Sequence, residues 1–259
     1  MTRYLTIDAG NSHLTLALHD SDGAIRAVHR LHTRPFHNAR QLVEHWRAFV
    51  DPNDGPLHLS ISSVVPDYHE TLREAGLALG AESFHWVDTD SPHGFRMKDS
   101  IRREIGADLI AGLVGARGQS SGPLVVVDAG TATTFALLSA DDEILGVAIL
   151  PGIKTQIKTL MEKAPHLADR VKAEMTELPY GVNTVESIQS GIMFGHAQMV
   201  EGFVSRYRTL PGLGDLKVYG CGGLFTTIAP QCPSVTFSVP HLVNAGCMIL
   251  SLQGLQEGL

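Results

Sequence analysis

The chain has 259 residues, 44% of them apolar and 18% charged, enough to bury a sizeable core and too apolar for a disordered polymer. Its net charge of −7 and pI near 6.0 argue against a nucleic-acid surface, which needs clustered Lys and Arg to neutralise phosphates. No uninterrupted apolar run reaches the ~18 residues of a membrane span, and Met1-Thr2-Arg3-Tyr4 leads into a strand with no signal-peptide pattern. Cys221, Cys232 and Cys247 are an odd set without C-x-x-C spacing, which predicts free thiols in a reducing cytoplasm rather than a disulfide frame or zinc site. His29, His32 and His37 are neighbours in sequence but lack carboxylate or Cys partners at ligand spacing, so no metal role is expected of them.

Residues 4–8 and 14–19 read as two strands joined by the turn Gly10-Asn11-Ser12-His13, and 24–31 as a third strand after Asp20-Ser21-Asp22-Gly23. In 39–50, Leu42, Val43, Trp46, Phe49 and Val50 recur at helical spacing, with Asn38 as N-cap. Residues 57–62 alternate with period two and predict a strand; 67–79 predict a helix and 83–87 a short strand. This β-β-β-α-β-α-β order resembles the ribonuclease-H-like half of sugar-kinase and actin-type proteins. Residues 89–104 read as polar and irregular, and Gly106-Ala107-Asp108 opens a helix over 109–117. Gly118 to Pro123 is the best linker, dividing an expected N-terminal lobe, 1–118, from a C-terminal lobe, 119–259.

The second lobe begins as the first does. Residues 124–128 and 133–139 read as a second hairpin and 143–150 as its third strand, followed by a helix over 153–161. The longest predicted helix, 183–207, has Ile188, Ile192, Phe194, Met199, Val200 and Phe203 on its apolar side, and its apolar content suggests burial at a dimer contact. A strand at 216–219, a helix, a strand at 235–237 and a last helix from 241 to 253 complete the chain.

The two hairpins share one phrase. Asp8-Ala9-Gly10 and Asp128-Ala129-Gly130 each follow an apolar β-branched run, and Asp8 and Asp128 lie 120 positions apart. At the same offset Leu18 falls on Leu138, so the repeat is expected to continue along the second strand. Glycine at a hairpin tip lets backbone N–H groups approach an anion, and a carboxylate beside such a turn can hold Mg²⁺, often through water. Asn11, Ser12, Thr131, Thr133 and Thr134 add side-chain donors. A third glycine cluster, Gly220-Cys221-Gly222-Gly223, sits between a strand and a helix, where a helix N-terminus can face phosphate. Asp108 is either a helix N-cap or a base that takes the proton of a substrate hydroxyl during phosphoryl transfer.

With those motifs quoted, the chain resembles the type III pantothenate kinases. The matching stretches are Asp8 to Ser12, Ser62 to Pro66, Gly106-Ala107-Asp108, Asp128 to Thr134, Ile149 to Gly152, Asn183-Thr184, Ile188 to Gly191, and Gly222-Gly223. The resemblance implies an acetate-and-sugar-kinase/actin-type α/β fold of two ribonuclease-H-like lobes, and a homodimer. It implies ATP, Mg²⁺ and a monovalent cation, K⁺ or NH₄⁺, in the phosphorylation of pantothenate to 4'-phosphopantothenate, the first step of coenzyme A synthesis. By position, Asp8, Ala9, Gly10, Asn11, Ser12, His13, Leu14 and Thr15 would form the ATP phosphate loop, with Asp8 also serving Mg²⁺ and Thr131 touching ATP. Asp128 would hold the monovalent cation and Asp108 would be the catalytic base. Gly106, Ala107, Asp108, Leu109 and Thr184 would bind the substrate. The departures lie on the substrate side. The family's Gly-x-Asp-Arg reads Gly106-Ala107-Asp108-Leu109, its aromatic seven residues before the Gly is Asp99, its Pro four before it is Arg102, and its Gly-Gly before the Pro-Gly turn is Gly146-Val147. Arg102 or Arg103 could supply the cation that Leu109 lacks. The alternatives are a kinase for another small hydroxyl compound and a non-catalytic nucleotide-binding descendant.

Overall fold

The computed structural model describes residues 2–34, 38–48, 50–51, 54–167 and 170–257. Phe49 and His37 therefore lie outside the described residues. The chain divides into two compact units, Met1–Gly94 with Lys98–Ser120 and Leu242–Leu259, and Phe95–Met97 with Ser121–His241.

The first unit is built on strands β1 (Arg3–Ala9), β2 (His13–His19), β3 (Ile25–His32), β4 (Leu57–Ser63) and β5 (Ala81–Trp86) in the order β3-β2-β1-β4-β5. β1 runs antiparallel to β2 and parallel to β4. Alternation along β1 and β4 sends Leu5, Ile7, Ala9, Leu57, Leu59 and Ile61 into one core, where Leu42, Val43 and Trp46 of helix α1 (Ala39–Arg47) and Leu72 and Ala75 of α2 (His69–Ala78) meet them. Asn38 caps α1 as expected, its side chain accepting from the Gln41 amide at 3.1 Å; such caps contribute about 1 kcal/mol.

The opposite face of the sheet carries Thr6, Asp8, Ser60 and Ser62. Small polar residues there let the last helix, α8 (Leu242–Glu257), lie close: Ser60 Oγ donates to the Cys247 carbonyl at 2.8 Å, and Asn244 Nδ2 donates to the carbonyls of Thr6 and Thr15 at 3.2 and 3.1 Å. α8 packs on α4 (Ala107–Arg117) through bare backbone. A Cβ on Gly246 would stand 1.8 Å from the Ala111 carbonyl, and one on Gly115 would stand 2.4 Å from that of Leu242. The helix that ends the chain thus belongs to the unit that begins it.

Residues 89–104, expected to be irregular, contain β6 (Arg96–Met97) and the four-residue helix α3 (Asp99–Arg102). Neither is long enough to show a period; β6 exists because Phe95 is buried and Arg96 N–H reaches the Asp142 carbonyl at 2.8 Å.

The second unit repeats the topology. Strands β7 (Leu124–Ala129), β8 (Ala132–Leu138), β9 (Glu143–Pro151), β10 (Lys217–Cys221) and β11 (Phe237–Ser238) form, with β6, the order β11-β10-β7-β8-β9-β6. Helix α5 (Ile153–Lys163) follows β9, α6 (Thr184–Arg208) is the longest helix, and α7 (Phe225–Ile228) follows β10. The buried stripe of α6 is Met193, Ala197, Val200 and Val204, joined in the core by Ile192, Met199 and Phe203. Ile188, expected on the same stripe, packs instead with Met161, Leu167 and Val171, and Phe194 belongs to neither cluster.

The repeat slips by one residue after the turn. Leu5 faces Leu18 in the first hairpin, but Val125, its counterpart, faces Leu137. Leu18 therefore matches Leu137 and not Leu138. The second turn is one residue shorter: Gly10 N–H bonds the His13 carbonyl, whereas Gly130 N–H bonds that of Ala132, each at 3.0 Å.

Candidate active site

The first unit holds both Asp8 and Asp108. Asp8 lies on the α8 face at the end of β1, beside Ser62 of β4 and Thr15 of β2. Asp108 sits in the first turn of α4. The N-cap is Gly106, and Asp108 stands at the second helical position. The Asp108 carboxylate folds back over the helix start: Oδ1 accepts from the Leu109 amide at 2.8 Å, and a Cβ on Gly106 would stand 2.4 Å from it. Burial pushes the Asp108 carboxyl above its ordinary range, partly opposed by that amide bond. The Cys247 thiol, fully buried on α8, is pushed up by desolvation and then by the charges of Asp8 and Asp108. Ser62 Oγ is buried nearby without a hydrogen-bond partner among the described residues. A carboxylate at a strand end with an orphaned hydroxyl beside it suits a hydrated Mg²⁺, which takes one or two protein carboxylates and keeps its waters.

The turn that carries Asp8 is secured from β3's end. Thr33, buried, donates its hydroxyl to the Gly10 carbonyl at 2.6 Å and its N–H to that of Ser12 at 3.0 Å. Ala9 and Leu14 are buried, and Gly10, Ser12, His13 and Thr15 half-buried. Asn11 is exposed at the tip, and the His13 ring packs on His32 with centroids 4.7 Å apart.

Leu109 and Ala107 are half-buried in the first turn of α4. Of the two cations proposed to replace the missing Arg, Arg102 is engaged elsewhere: its guanidinium donates to Asp90 Oδ1 and the Thr89 carbonyl, both at 3.0 Å. Arg103 is exposed and caps the C-terminus of α3, and Asp99 is exposed at that helix's first position.

In the second unit, Asp128 ends β7 on the face opposite α6, and Gly222 closes over it. Gly222 has φ +91°, and a Cβ there would stand 2.2 Å from Asp128 Oδ1 and 2.6 Å from the Ala129 amide nitrogen. That bare cradle of carboxylate and backbone suits a desolvated monovalent cation. Thr131 is exposed at the turn, and its carbonyl accepts from Gly152 N–H at 3.0 Å and Thr155 Oγ at 2.6 Å. Thr184 is exposed at the first position of α6, whose N-cap Asn183 accepts from Glu186 N–H at 3.1 Å. Val147 is half-buried in β9.

Thr33, Gln156 and His196 support these turns and carry no motif. Only their spacing from a glycine turn in three dimensions reveals them. All three cysteines are buried thiols; that of Cys232 is pushed up to about 12 by burial and then by Glu201. Among the described residues no group of three His, Cys, Asp or Glu is arranged to hold a metal, and no helix is long and apolar enough to cross a membrane.

A type III pantothenate kinase of Nocardia farcinica (strain IFM 10152) is 32% identical over 253 residues, covering 94% of this chain and 95% of that protein. One from Anaeromyxobacter sp. (strain K) is 34% identical, covering 95% and 97%. Among solved structures, a Sinorhizobium meliloti protein named for 2-dehydro-3-deoxygalactonokinase superposes with a TM-score of 0.61 at 14% identity, covering 96% of each chain, which establishes the sugar-kinase/actin-type fold. Residues 4–206 match the family described as type III pantothenate kinase, and the chain belongs to that family.

Proposed function

We propose that this protein transfers the γ-phosphoryl group of ATP to the 4'-hydroxyl of pantothenate, opening coenzyme A synthesis in the cytoplasm. The observation that carries the reading is Asp108 in the first turn of α4, its Oδ1 accepting from the Leu109 amide at 2.8 Å and its proton affinity raised by burial, in the same unit as the strand-end Asp8. A base poised to take a hydroxyl proton needs a raised pKa, and such help contributes roughly 10²–10⁴-fold. Asp108 takes the proton as the hydroxyl oxygen attacks; the Leu109 amide and Gly106 hold the carboxylate in place.

Asp8 would hold Mg²⁺ through water, and the turn from Ala9 to Thr15 would present N–H groups to the ATP phosphates. Bound there, Mg²⁺ would neutralise charge developing on the transferred group. Asp128 would hold K⁺ or NH₄⁺ within the Gly222 cradle, and Thr131 would meet ATP. Gly106, Ala107 and Leu109 would line the substrate site of a homodimer.

The pantothenate carboxylate requires a cation that Leu109 cannot be. Arg102 is held by Asp90, so Arg103 is assigned this role. The experiment is steady-state kinetics with ATP and pantothenate, with and without K⁺, for wild type, Arg102→Gln and Arg103→Gln. The expected result is K⁺-dependent turnover, with KM for pantothenate raised about tenfold or more by Arg103→Gln, matching a lost charge-assisted bond of roughly 1.5–3 kcal/mol. Arg102→Gln should leave KM within about twofold. A reversed ranking would reassign the cation; turnover of a different hydroxyl compound alone would replace the substrate.

A further inference from the structure

The Asp128 turn is anchored by a relay that runs from solvent-exposed bonds at the start of α5 to the buried His196. Thr131 at its tip is fixed through its carbonyl by two groups at the start of α5, Gly152 N–H and Thr155 Oγ. The approach is close: a Cβ on Gly152 would stand 2.2 Å from the Gly130 carbonyl and 2.6 Å from that of Thr131. The position of α5 therefore sets the position of the turn.

Besides the buried Ile153 and Met161, Gln156, one helical turn further on, ties α5 to α6. Its Nε2 donates to the Pro151 carbonyl at 2.9 Å and to His196 Nδ1 at 3.0 Å. Two acceptors on one amide nitrogen fix the orientation of the side chain, because flipping it would set Oε1 against the Pro151 oxygen. The same contact fixes the tautomer of His196. Nδ1 accepts, so Nε2 carries the hydrogen and donates to Thr133 Oγ at 2.9 Å, within the hairpin itself. His196 is 2% exposed in the middle of α6, and its burial disfavours a second proton. The relay closes a loop: hairpin to α6 through Thr133–His196, α6 to α5 through His196–Gln156, and α5 back to the hairpin through Gly152 and Thr155.

We infer that His196 and Gln156 are positioning residues for the nucleotide end of the reaction, holding the Asp128–Thr131 turn through α5. The inference rests on the reading that this turn serves ATP and its monovalent cation. Neither side chain is assigned a contact with substrate. A positioning role predicts that their loss weakens ATP use while pantothenate binding is spared.

The test compares wild type, Gln156→Leu, Thr131→Ala and the double variant in the full-length protein, with His196→Phe as a second probe of the relay. Kinetics give KM for ATP, KM for pantothenate and kcat; titration with a fluorescent ATP analogue gives nucleotide affinity directly, and thermal melting reports folding. Gln156 is half-buried, so its variant is expected to fold. The expected result is a rise of about tenfold in KM for ATP and a matching loss of analogue affinity in both single variants, with KM for pantothenate within about twofold. The double variant should be no worse than the poorer single one, because both changes act through one turn. If Thr131→Ala weakens ATP binding and neither Gln156→Leu nor His196→Phe does, the relay is overturned and the turn keeps its role. If Thr131→Ala has no effect on ATP, the reading of the turn fails and the relay falls with it. Equal losses for both substrates, in step with a lower melting temperature, would reduce the relay to a structural one and overturn the inference.

Discussion

The two halves of the chain share a topology and differ in how each secures its turn. β3-β2-β1-β4-β5 and β9-β8-β7-β10-β11 are the same arrangement, with Asp8 and Asp128 at equivalent strand ends. The first turn is one residue longer, is fastened by a single threonine from β3's end, and has a carboxylate and an orphaned serine beside a helix of its own unit. The second is shorter, is fastened from α5, and has a positive-φ glycine pressed on its carboxylate. A repeated phrase thus marks equivalent places rather than equivalent duties. The carboxylate beside Ser62 suits a hydrated divalent ion, and the one beneath Gly222 suits a monovalent ion.

The largest effect is expected where the halves differ most in chemistry. Asp108→Asn has no counterpart in the second unit; it should lower kcat by about 10²–10⁴-fold with the fold intact. The same variant should be more stable than wild type at neutral pH. The folded-state pKa of Asp108 is raised, so ionising it costs stability above that pKa; the cost vanishes below the unfolded value. Melting curves across pH should converge at low pH and separate as pH rises, with the variant higher.

Gly222→Ala attacks the cradle that only the second turn has. The left-handed backbone costs an alanine roughly 1–2 kcal/mol, and the new Cβ would displace the Asp128 carboxylate. The expected outcome is a lower melting temperature and a higher K⁺ concentration at half-maximal rate. Unchanged K⁺ dependence would remove Asp128 as the cation site.

Thr33→Val probes the lighter fastening of the first turn. Losing the bond to the Gly10 carbonyl should cost about 1 kcal/mol of stability and raise KM for ATP by no more than a few-fold, measured by denaturant unfolding and kinetics. An effect larger than that of Gly222→Ala would invert the contrast drawn between the two turns.

Much of this was legible in the sequence. Alternation in 57–62 and helical spacing in 39–50 set their elements, and Asn38 marked a helix start that the structure keeps. The hairpins were legible because each pairs apolar strands about a glycine. The one-residue slip was not, because identical residues at Asp-Ala-Gly hide a difference that begins only after the glycine. β6 and α3 were too short to have a period. The joining of α8 to the first unit depends on Gly115 and Gly246 letting two helices touch, which is a matter of complementarity rather than order along the chain. Of the site, the carboxylates were visible as motifs, whereas Thr33 meets Gly10 from 23 residues away and His196 meets Gln156 and Thr133 from 40 and 63 away, separations that leave no local pattern.

The most direct measurement is product analysis by mass spectrometry and phosphorus NMR after incubation of the pure protein with ATP, Mg²⁺, K⁺ and pantothenate. The expected products are ADP and 4'-phosphopantothenate in equal amounts, both formed about 10²–10⁴-fold more slowly by Asp108→Asn. ADP release without phosphorylated pantothenate, or product formed at the wild-type rate by the Asp108→Asn protein, would contradict the account.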